Sequence, residues 1–520
     1  MSTKKSQDLA NMVGISQQES QSQRVETMIL EPRTFNQQVA IFDLPQQGIL
    51  SDDLALQIQL TVDAAQTMDL PLIAGIDGLF DRIELYFGTT LINSVTEVAH
   101  LLQAHSLFED QDKRDWSQQT YTGGFSGLKV DEQGDLGRFQ LNALNTSAQN
   151  TSASTGITGL LQTTNTQINK RQKFRCTDDA TTTPEYCLKL KRVFPILTQI
   201  PLALFALKER IRVEFHFSND VAGNRCVGVD TAAGIVPPAI VAFVAGNNIV
   251  QASCKLSVDL IYYEDIPNVP SPMLRIQEQL NKGVDLVYTD YITILGNIPA
   301  ITAVGGVVPA PPVRQSRSML LGLDHETIRN LLIVTPRQTD GTVPSNQVLG
   351  NFESCASPLG TELQVTINNE NIFPSPLNND AKFYNETSQV FDTPLKVNRG
   401  LFSAVGQVDG TTGIIAGGSS AFADDRFIRG IANNNLQYKL QYLGVNLAKE
   451  ANQNYMGNGV QIGRQPVQIL LTKVRGGSDD SFATGAVPPI YSYASYKLIV
   501  FAEAERIMTI RGGNIFISGS

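Results

Sequence analysis

Short runs of alternating apolar and polar residues, separated by Gly, Pro, Asn and Asp, recur along almost the whole of this chain. In residues 54–62, Leu, Ile and Val side chains alternate with Ala, Gln and Thr. Successive side chains of an extended backbone point to opposite faces, so this run predicts a strand with one buried face. Similar runs occur at residues 185–194, 210–217 and 255–263. Many short strands between turn residues are typical of an all-β sandwich or barrel.

One order of elements occurs twice along the chain. Residues 82–95 predict a hairpin, and the periodicity of residues 96–108 predicts a helix that begins at the capping residue Thr96. In the second half, residues 362–373 predict a hairpin with an Asn-Asn turn, and residues 380–391 predict the helix that follows it. The repeated order indicates two domains of one topology.

The ends of the two halves support the same division. Each half closes on a similar apolar run, at residues 260–264 and 498–503. Three prolines in residues 267–272 indicate a linker, because proline cannot pair within a strand, and residues 273–280 then predict a short helix. The predicted parts are a flexible N-terminal arm over residues 1–35, a first domain over 36–270 with a long polar loop at 118–172, and a second domain over 271–520 with a Gly-rich loop at 397–435.

Composition excludes several classes of protein. Hydrophobic residues make up 42% of the 520 residues, which excludes a wholly disordered chain. The net charge is −10 and no Lys and Arg cluster occurs, so we expect no direct sequence-specific binding of nucleic acid. No apolar run reaches the roughly 20 residues of a membrane-crossing helix, so we expect no transmembrane segment. The polar start of the chain predicts no secretion signal.

Residues suited to catalysis or metal binding are few. His100 and His105 share the predicted helix but a spacing of five does not put them on one face, and His216 and His325 stand in strand-like or capping contexts. All four histidines are therefore interpreted as structural. No phosphate-binding loop, zinc spacing or nucleophile elbow occurs. We predict that the protein is not an enzyme and has no catalytic, cofactor-binding or metal-binding residue.

The cysteines and the clusters of acidic residues do not indicate a functional site. The five cysteines are an odd number without Cys-x-x-Cys spacing, which favours reduced thiols in an intracellular setting over a disulfide framework. Cys176 and Cys187 have a spacing that suits two sides of a hairpin, and the sequence leaves open whether they form a disulfide. The acidic residues in 109–115, 424–425 and 479–480 are interpreted as solvated loops.

Three segments resemble a known family. Residues 76–86, IDGLFDRIELY, resemble the first-barrel segment of double jelly-roll major capsid proteins. Residues 363–373, LQVTINNENIF, together with residues 378–384 are similar to the matching part of the second barrel, and residues 496–502, YKLIVFA, resemble the closing strand. The chain length and two-part organisation are similar to those of the major capsid proteins of small eukaryotic double-stranded DNA viruses of the virophage or polinton-like type.

The resemblance implies a fold and a function. It implies two tandem eight-stranded antiparallel jelly-roll barrels with short helices and long inserted loops, in a structural protein of the virion made in the host cell cytoplasm or nucleus. Homotrimeric, pseudo-hexameric capsomers would tile an icosahedral shell, with penton and minor capsid or cement proteins as further partners. The charged fraction of 17% suits such a protein, because interface cores contain few Lys, Glu and Asp residues.

Two other classes of protein remain as alternatives. The first is a tandem β-sandwich carbohydrate-binding or surface protein, whose sugar site would be built from the Asn-, Gly- and Thr-rich loops. The missing secretion signal and the single tryptophan, Trp116, count against it. The second is a glycoside-processing enzyme, which needs two carboxylates at a fixed separation that the sequence does not reveal.

Overall fold

A computed structural model gives the fold. The structure describes residues 23–36, 38–62, 67–69, 75–108, 185–218, 227–230, 239–242, 249–264, 271–298, 313–323, 327–334, 362–378, 380–390, 402–404, 438–440, 442–447, 459–462, 466–475 and 496–519. The predicted loop at 118–172 lies outside these residues, as does all of the 397–435 loop except Phe402–Ala404. His325, Cys176 and the acidic residues of 109–115, 424–425 and 479–480 also lie outside them.

The described residues of the first half form thirteen strands. They are β1 Gln23–Leu30, β2 Thr34–Phe35, β3 Val39–Asp43, β4 Ile49–Val62, β5 Thr67–Asp69, β6 Phe80–Phe87, β7 Thr90–Thr96, β8 Glu185–Lys189, β9 Leu202–Ala203, β10 Ile211–Phe217, β11 Val227–Asp230, β12 Ala239–Ala242 and β13 Ile249–Tyr263. One sheet, the β13 sheet, has the order β1-β13-β4-β8 with β9 beside β4. A second, the β10 sheet, has the order β2-β3-β10-β6-β7, and β12-β11-β5 form a small third sheet.

The chain passes repeatedly between the two large sheets of the first half. Strands β1, β4, β8 and β13 belong to the β13 sheet, whereas β3, β6, β7 and β10 belong to the β10 sheet. Pairing within both sheets is antiparallel. Inward side chains of both sheets, such as Leu56 and Val258 from one and Phe42 and Phe215 from the other, contribute to one hydrophobic core. This is a jelly roll, an eight-stranded double Greek key.

The described residues of the second half form twelve strands. They are β14 Val284–Ile298, β15 Val313–Leu321, β16 Thr327–Val334, β17 Glu362–Ile367, β18 Glu370–Asn371, β19 Phe402–Ala404, β20 Tyr438–Leu440, β21 Tyr442–Asn446, β22 Val460–Gln461, β23 Val467–Arg475, β24 Tyr496–Arg511 and β25 Asn514–Gly519. The β24 sheet has the order β14-β24-β16-β21, with β22 beside β16 and β25 beside β24. The β23 sheet has the order β15-β23-β17-β18, and β19 pairs with β20.

The two halves have the same topology. Strands β14, β15, β16, β17, β18, β21, β23 and β24 take the places of β1, β3, β4, β6, β7, β8, β10 and β13, both along the chain and within the sheets. The prediction of two tandem jelly rolls is therefore confirmed, and they are called the first and second barrels below. The resemblance implied the jelly-roll topology, and the alternation of apolar and polar residues indicated the strands because one face of each sheet is buried.

Short helices connect the strands. They are α1 Val98–Phe108, α2 Ile196–Gln199, α3 Pro272–Lys282 and α4 Asp380–Val390, with 3-10 helices at Gly75–Leu79, Leu190–Arg192 and Leu204–Ala206. The helix predicted to begin at Thr96 begins at Val98 instead, because Thr96 is the last residue of β7. Glu97 makes the change of direction with a φ of 57°, and its N–H donates to the Asp81 carbonyl oxygen at 2.6 Å.

Part of the segment predicted to be a flexible arm is a strand. Within the predicted arm of residues 1–35, Gln23–Leu30 forms β1 and pairs along its whole length with β13. Met28 and Leu30 pack against the hydrophobic core, whereas the other side of the strand is exposed. This edge strand has few buried positions, so its alternation was too weak to be recognised in the sequence.

No helix in the described part of the chain has both the length and the apolar character that crossing a lipid bilayer requires.

The contact between α4 and β21 depends on a glycine. A Cβ added to Gly444 would lie 2.9 Å from Thr387 Cα and 2.8 Å from Val390 Cγ2, and the Gly444 N–H donates to Thr387 Oγ1 at 2.9 Å. We expect Gly444→Ala to destabilise the second barrel by about 1–3 kcal/mol, the usual cost of overpacking. Thermal unfolding of the purified protein measures this change.

Gly322→Ala is the matched control for Gly444→Ala. A Cβ added to Gly322 meets no atom within 4 Å, so the same substitution there should leave the unfolding temperature almost unchanged. Equal unfolding temperatures for the two variants would show that α4 and β21 leave room for a side chain at position 444.

Candidate functional site: the junction between the barrels

The first barrel covers the outer side of β14, which is the edge strand of the β24 sheet. Three β14 residues take part: Thr289, Tyr291 and Thr293, which are two residues apart and therefore on one side of the strand. They are called the β14 row below. An edge strand presents unpaired N–H and C=O groups, which proteins normally cover or blunt. At Thr289 a side chain of the first barrel binds the backbone of this edge strand, and at Tyr291 and Thr293 the first barrel contacts the side chains.

Gln199 binds the β14 row in the manner of a neighbouring strand. It is the last residue of α2, and its side-chain Oε1 accepts a hydrogen bond from the Thr289 N–H at 2.8 Å. Its Nε2 donates to Thr289 Oγ1, also at 2.8 Å. One amide side chain thus satisfies a backbone donor and a hydroxyl on the edge strand.

A histidine and a tyrosine form the centre of the junction. The hydroxyl of Tyr291 lies 3.1 Å from His105 Nε2, and the two rings meet edge to face with centroids 5.7 Å apart. Burial lowers the pKa of His105 to about 4, and the charge of Arg192 acts in the same direction. Burial also raises the pKa of Tyr291, helped by the carboxylates of Glu503 and Asp290. At neutral pH an uncharged tyrosine hydroxyl and an uncharged imidazole therefore share this hydrogen bond.

Contacts on either side of this pair extend the junction. Thr293 Oγ1 donates to the Thr96 carbonyl oxygen at 3.2 Å, and Lys497 forms an ion pair with Glu97. At another point between the barrels, the Lys208 N–H donates to the Gly513 carbonyl oxygen at 2.9 Å. Among the described residues, the polar contacts of the junction therefore join mainly neutral groups, with one ion pair among them.

The equivalent side of the first barrel is exposed. Strand β1 has the place in its sheet that β14 has in the β24 sheet, and its outward side carries Val25, Thr27 and Ile29, called the β1 row below. Val25 is 51% exposed and Ile29 is 60% exposed. A single chain thus covers one of two equivalent edge strands and leaves apolar side chains on the other.

A second group of polar residues lies on the outer face of the β10 sheet. Glu84 on β6 and Glu214 and His216 on β10 bring their ligand atoms within 4.8 Å of one another. His216 had been interpreted as structural, and the sequence did not single out the two glutamates. Glu84 and His216 are 132 residues apart, so only the register between β6 and β10 brings them together.

The other residues considered in the sequence do not converge. His100 lies on α1 with its Nε2 3.9 Å from Glu97 Oε2, apart from His105 at the junction. Cys187 on β8 carries a free thiol, whereas Cys176 lies outside the described residues. Cys254 on β13 is also free, and burial raises the pKa of its thiol to about 12. Both thiols are predominantly protonated at neutral pH, which does not suit a nucleophile.

Comparisons with known proteins identify the fold. No family model and no curated protein matches the chain. A chain of the Sputnik virophage structure is 12% identical and superposes with a TM-score of 0.54, covering 96% of this chain and 89% of that one. VP54 of PBCV-1, fitted into a reconstruction of the virophage Sputnik, is 11% identical with a TM-score of 0.52, covering 96% of this chain and 97% of VP54. The mavirus major capsid protein is 9% identical with a TM-score of 0.44, covering 96% and 90%.

These identities are low, so the likeness concerns the fold. The chain has the double jelly-roll fold of these viral proteins, and the all-β class predicted from the sequence is confirmed.

The junction predicts how stability depends on pH. His105 has a pKa of about 4 in the folded chain against an ordinary value of 6.5. As the pH falls from 6.5 towards 4, the unfolded chain binds a proton that the folded chain does not, so the contribution of His105 to stability is lost. The loss is at most about 3 kcal/mol, because one pKa unit corresponds to about 1.4 kcal/mol and the ring keeps some contact with solvent.

His105→Gln tests this dependence. Glutamine does not titrate and can still accept a hydrogen bond from Tyr291, so its free energy of unfolding should fall less steeply over this pH range than that of the unsubstituted protein. Urea denaturation at a series of pH values gives both curves. Parallel curves would contradict the buried, uncharged state of His105.

Proposed function

We propose that this protein is a viral major capsid protein that forms homotrimeric, pseudo-hexameric capsomers and tiles an icosahedral shell. The observation that carries the proposal is the pair of barrels with one topology, in which the β14 row is covered and the equivalent β1 row is exposed. The likeness to a chain of the Sputnik virophage and to VP54 supports it, because both structures concern virus particles.

Repetition of the junction between copies would cover the β1 row. Within one chain, β7, α1 and α2 of the first barrel lie against β14 of the second. The second barrel has β18 and α4 at the corresponding places along the chain, and these would lie against β1 of the next copy. Each copy then donates one face and accepts at the other, and such a head-to-tail contact forms a ring if the rotation closes. Three copies provide the six barrels of a pseudo-hexagon.

The composition supports the same function. Only 17% of the residues are charged, and charge is depleted where protein surfaces are buried against each other. The net charge of −10 repels phosphate groups, so basic proteins or a membrane would have to contact the genome.

The proposal also assigns roles to the domain boundary, the N-terminal arm and the long loops, and it names the other capsid partners. We place the boundary between the domains 36–270 and 271–520 in the linker before α3. The arm before β1 would lie on the inner side of the shell and bridge neighbouring capsomers, and the loops at 118–172 and 397–435 would form its outer crown. Penton and minor capsid or cement proteins would be the other partners. The protein would be made in the host cytoplasm or nucleus and reside in the virion.

The assembly state of the purified protein tests the proposal. Light scattering should give three times the chain mass of 56.7 kDa or larger assemblies, and electron micrographs of the expressed protein should show capsomers or particles. A stable monomer would contradict the proposal. Binding on a glycan array without assembly would favour the carbohydrate-binding alternative.

Ile29→Glu tests whether the β1 row is the face that contacts the next copy. A charge at this position in the β1 row would be desolvated in the contact between copies, so the variant should dissociate to smaller species at concentrations where the unsubstituted protein is trimeric. Light scattering over a dilution series measures the dissociation.

Leu274→Glu is the matched control for Ile29→Glu. Leu274 on α3 is 59% exposed, almost the same as the 60% of Ile29, but it lies outside the β1 row. The control should remain trimeric. If both variants assembled equally well, the β1 row would not be the contact between copies.

A further inference from the structure

Two glutamates face each other directly on the outer side of the first barrel. Glu84 on β6 is the register partner of Glu214 on β10, and their side chains are only 8% and 14% exposed. Like charges directly opposite each other in an antiparallel pair are destabilising. Withdrawal from water makes the repulsion stronger, so this position calls for positive charge between or beside the two carboxylates.

Arginines fix one oxygen of each carboxylate. Arg82 Nε lies 3.3 Å from Glu84 Oε1, and Arg212 Nε lies 2.7 Å from Glu214 Oε1. Ser94 also donates a hydrogen bond to Glu84 Oε1, at 3.0 Å. In metal sites, hydrogen-bond partners of this kind fix the orientation of the side chains that bind the metal.

The other oxygen of each carboxylate lies near a histidine. His216 Nε2 is 3.1 Å from Glu84 Oε2 and 3.6 Å from Glu214 Oε2. Tyr86 also donates to Glu84 Oε2 at 3.0 Å, but a carboxylate oxygen has a second lone pair for another partner. Three potential ligand atoms from two adjacent strands therefore converge on one point.

All three ligand atoms lie within 4.8 Å of one another, and two of the three distances match those of a zinc centre. Zinc bonds of about 2.0–2.1 Å in a tetrahedral arrangement put neighbouring ligand atoms about 3.3 Å apart. The distances from His216 Nε2 are within a few tenths of an ångström of this separation. Two carboxylate oxygens and one imidazole nitrogen are a ligand set for zinc, whereas calcium and magnesium prefer oxygen ligands alone and more of them.

We propose that Glu84, Glu214 and His216 form a site for Zn²⁺ on the outer face of the first barrel, with water as the fourth ligand. The ion joins β6 to β10 through side chains and further reduces the repulsion between the paired glutamates. Arg82 and Arg212 already balance the two carboxylate charges, so the affinity is lower than that of a closed four-ligand structural zinc site. The site does not depend on how copies of the chain assemble.

Calorimetric titration with Zn²⁺ tests the proposal on the full-length protein after treatment with chelator. We expect one ion per chain and a rise in the unfolding temperature, because an ion that binds the folded state stabilises it. His216→Gln and Glu214→Gln each remove one ligand, so each should weaken binding by at least about tenfold. Absence of binding to the unsubstituted protein would overturn the proposal.

Glu26→Gln is the matched control for the loss of a carboxylate charge. Glu26 lies on β1 in an exposed ion pair with Arg24, away from the three ligands, so this variant should bind Zn²⁺ like the unsubstituted protein. Equal weakening in Glu26→Gln and Glu214→Gln would show that binding reflects the general negative charge of the surface, and would overturn the site.

Co²⁺ provides a readout of the ligand geometry. Cobalt in place of zinc should give the intense visible absorption of a tetrahedral ion, and the absorption should disappear in His216→Gln. The assembled mass and circular dichroism of that variant show whether it is folded. If His216→Gln does not fold, Glu214→Gln is the deciding variant. An unchanged cobalt spectrum in a folded variant would exclude the histidine as a ligand.

Discussion

The backbone of β14 needs hydrogen-bond partners on its outer side, and the arrangement of the two barrels follows from how this need is met. A jelly-roll sheet is open at its edges, and an unpaired N–H that loses contact with water costs free energy. The side chain of Gln199 provides the partner for Thr289, and His105 and Thr96 contact the next two members of the β14 row. Because these groups belong to the first barrel, satisfying the edge strand also fixes where the second barrel lies.

That arrangement makes two equivalent strands unequal. β14 and β1 have the same place in the same topology, but within a single chain only β14 has the other barrel beside it. The apolar residues Val25 and Ile29 remain on the outside of β1. An exposed edge strand with apolar side chains is a template for association with another chain. In the assembly proposed above, a contact between copies that repeats the contact within the chain would cover this strand without requiring a new kind of interface.

The sequence predicted most of the fold because the fold is repetitive in its local patterns. Residues 54–62 alternate strictly, and Asn368-Asn369 forms the predicted turn with φ values of 53° and 64°. β1 was missed because a strand at the edge of a sheet buries few side chains. The role of Gln199 was beyond prediction, because its partner Thr289 is 90 residues away on the other barrel.

The proposed zinc site shows the same limit of prediction from sequence. It consists of Glu84, Glu214 and His216. Each residue stands in a strand that the sequence predicted, and alternation alone puts Glu214 and His216 on one face. What alternation does not give is the register between β6 and β10, and a shift of one residue would move Glu84 to the other face of the sheet. Register depends on how all the inward side chains pack together.

Tandem barrels of one topology can differ only where the core does not constrain them, and these two differ on their outer faces. The β10 sheet of the first barrel carries Arg82, Glu84, Arg212, Glu214 and His216 there. The outer face of the corresponding β23 sheet carries mainly neutral residues, namely Ser316, Ser318, Leu320, Gln468 and Leu470, together with Glu362. A surface that accepts one of these faces would leave charges desolvated if it met the other. The chemical difference on these outer faces therefore distinguishes two barrels that their shared fold makes alike.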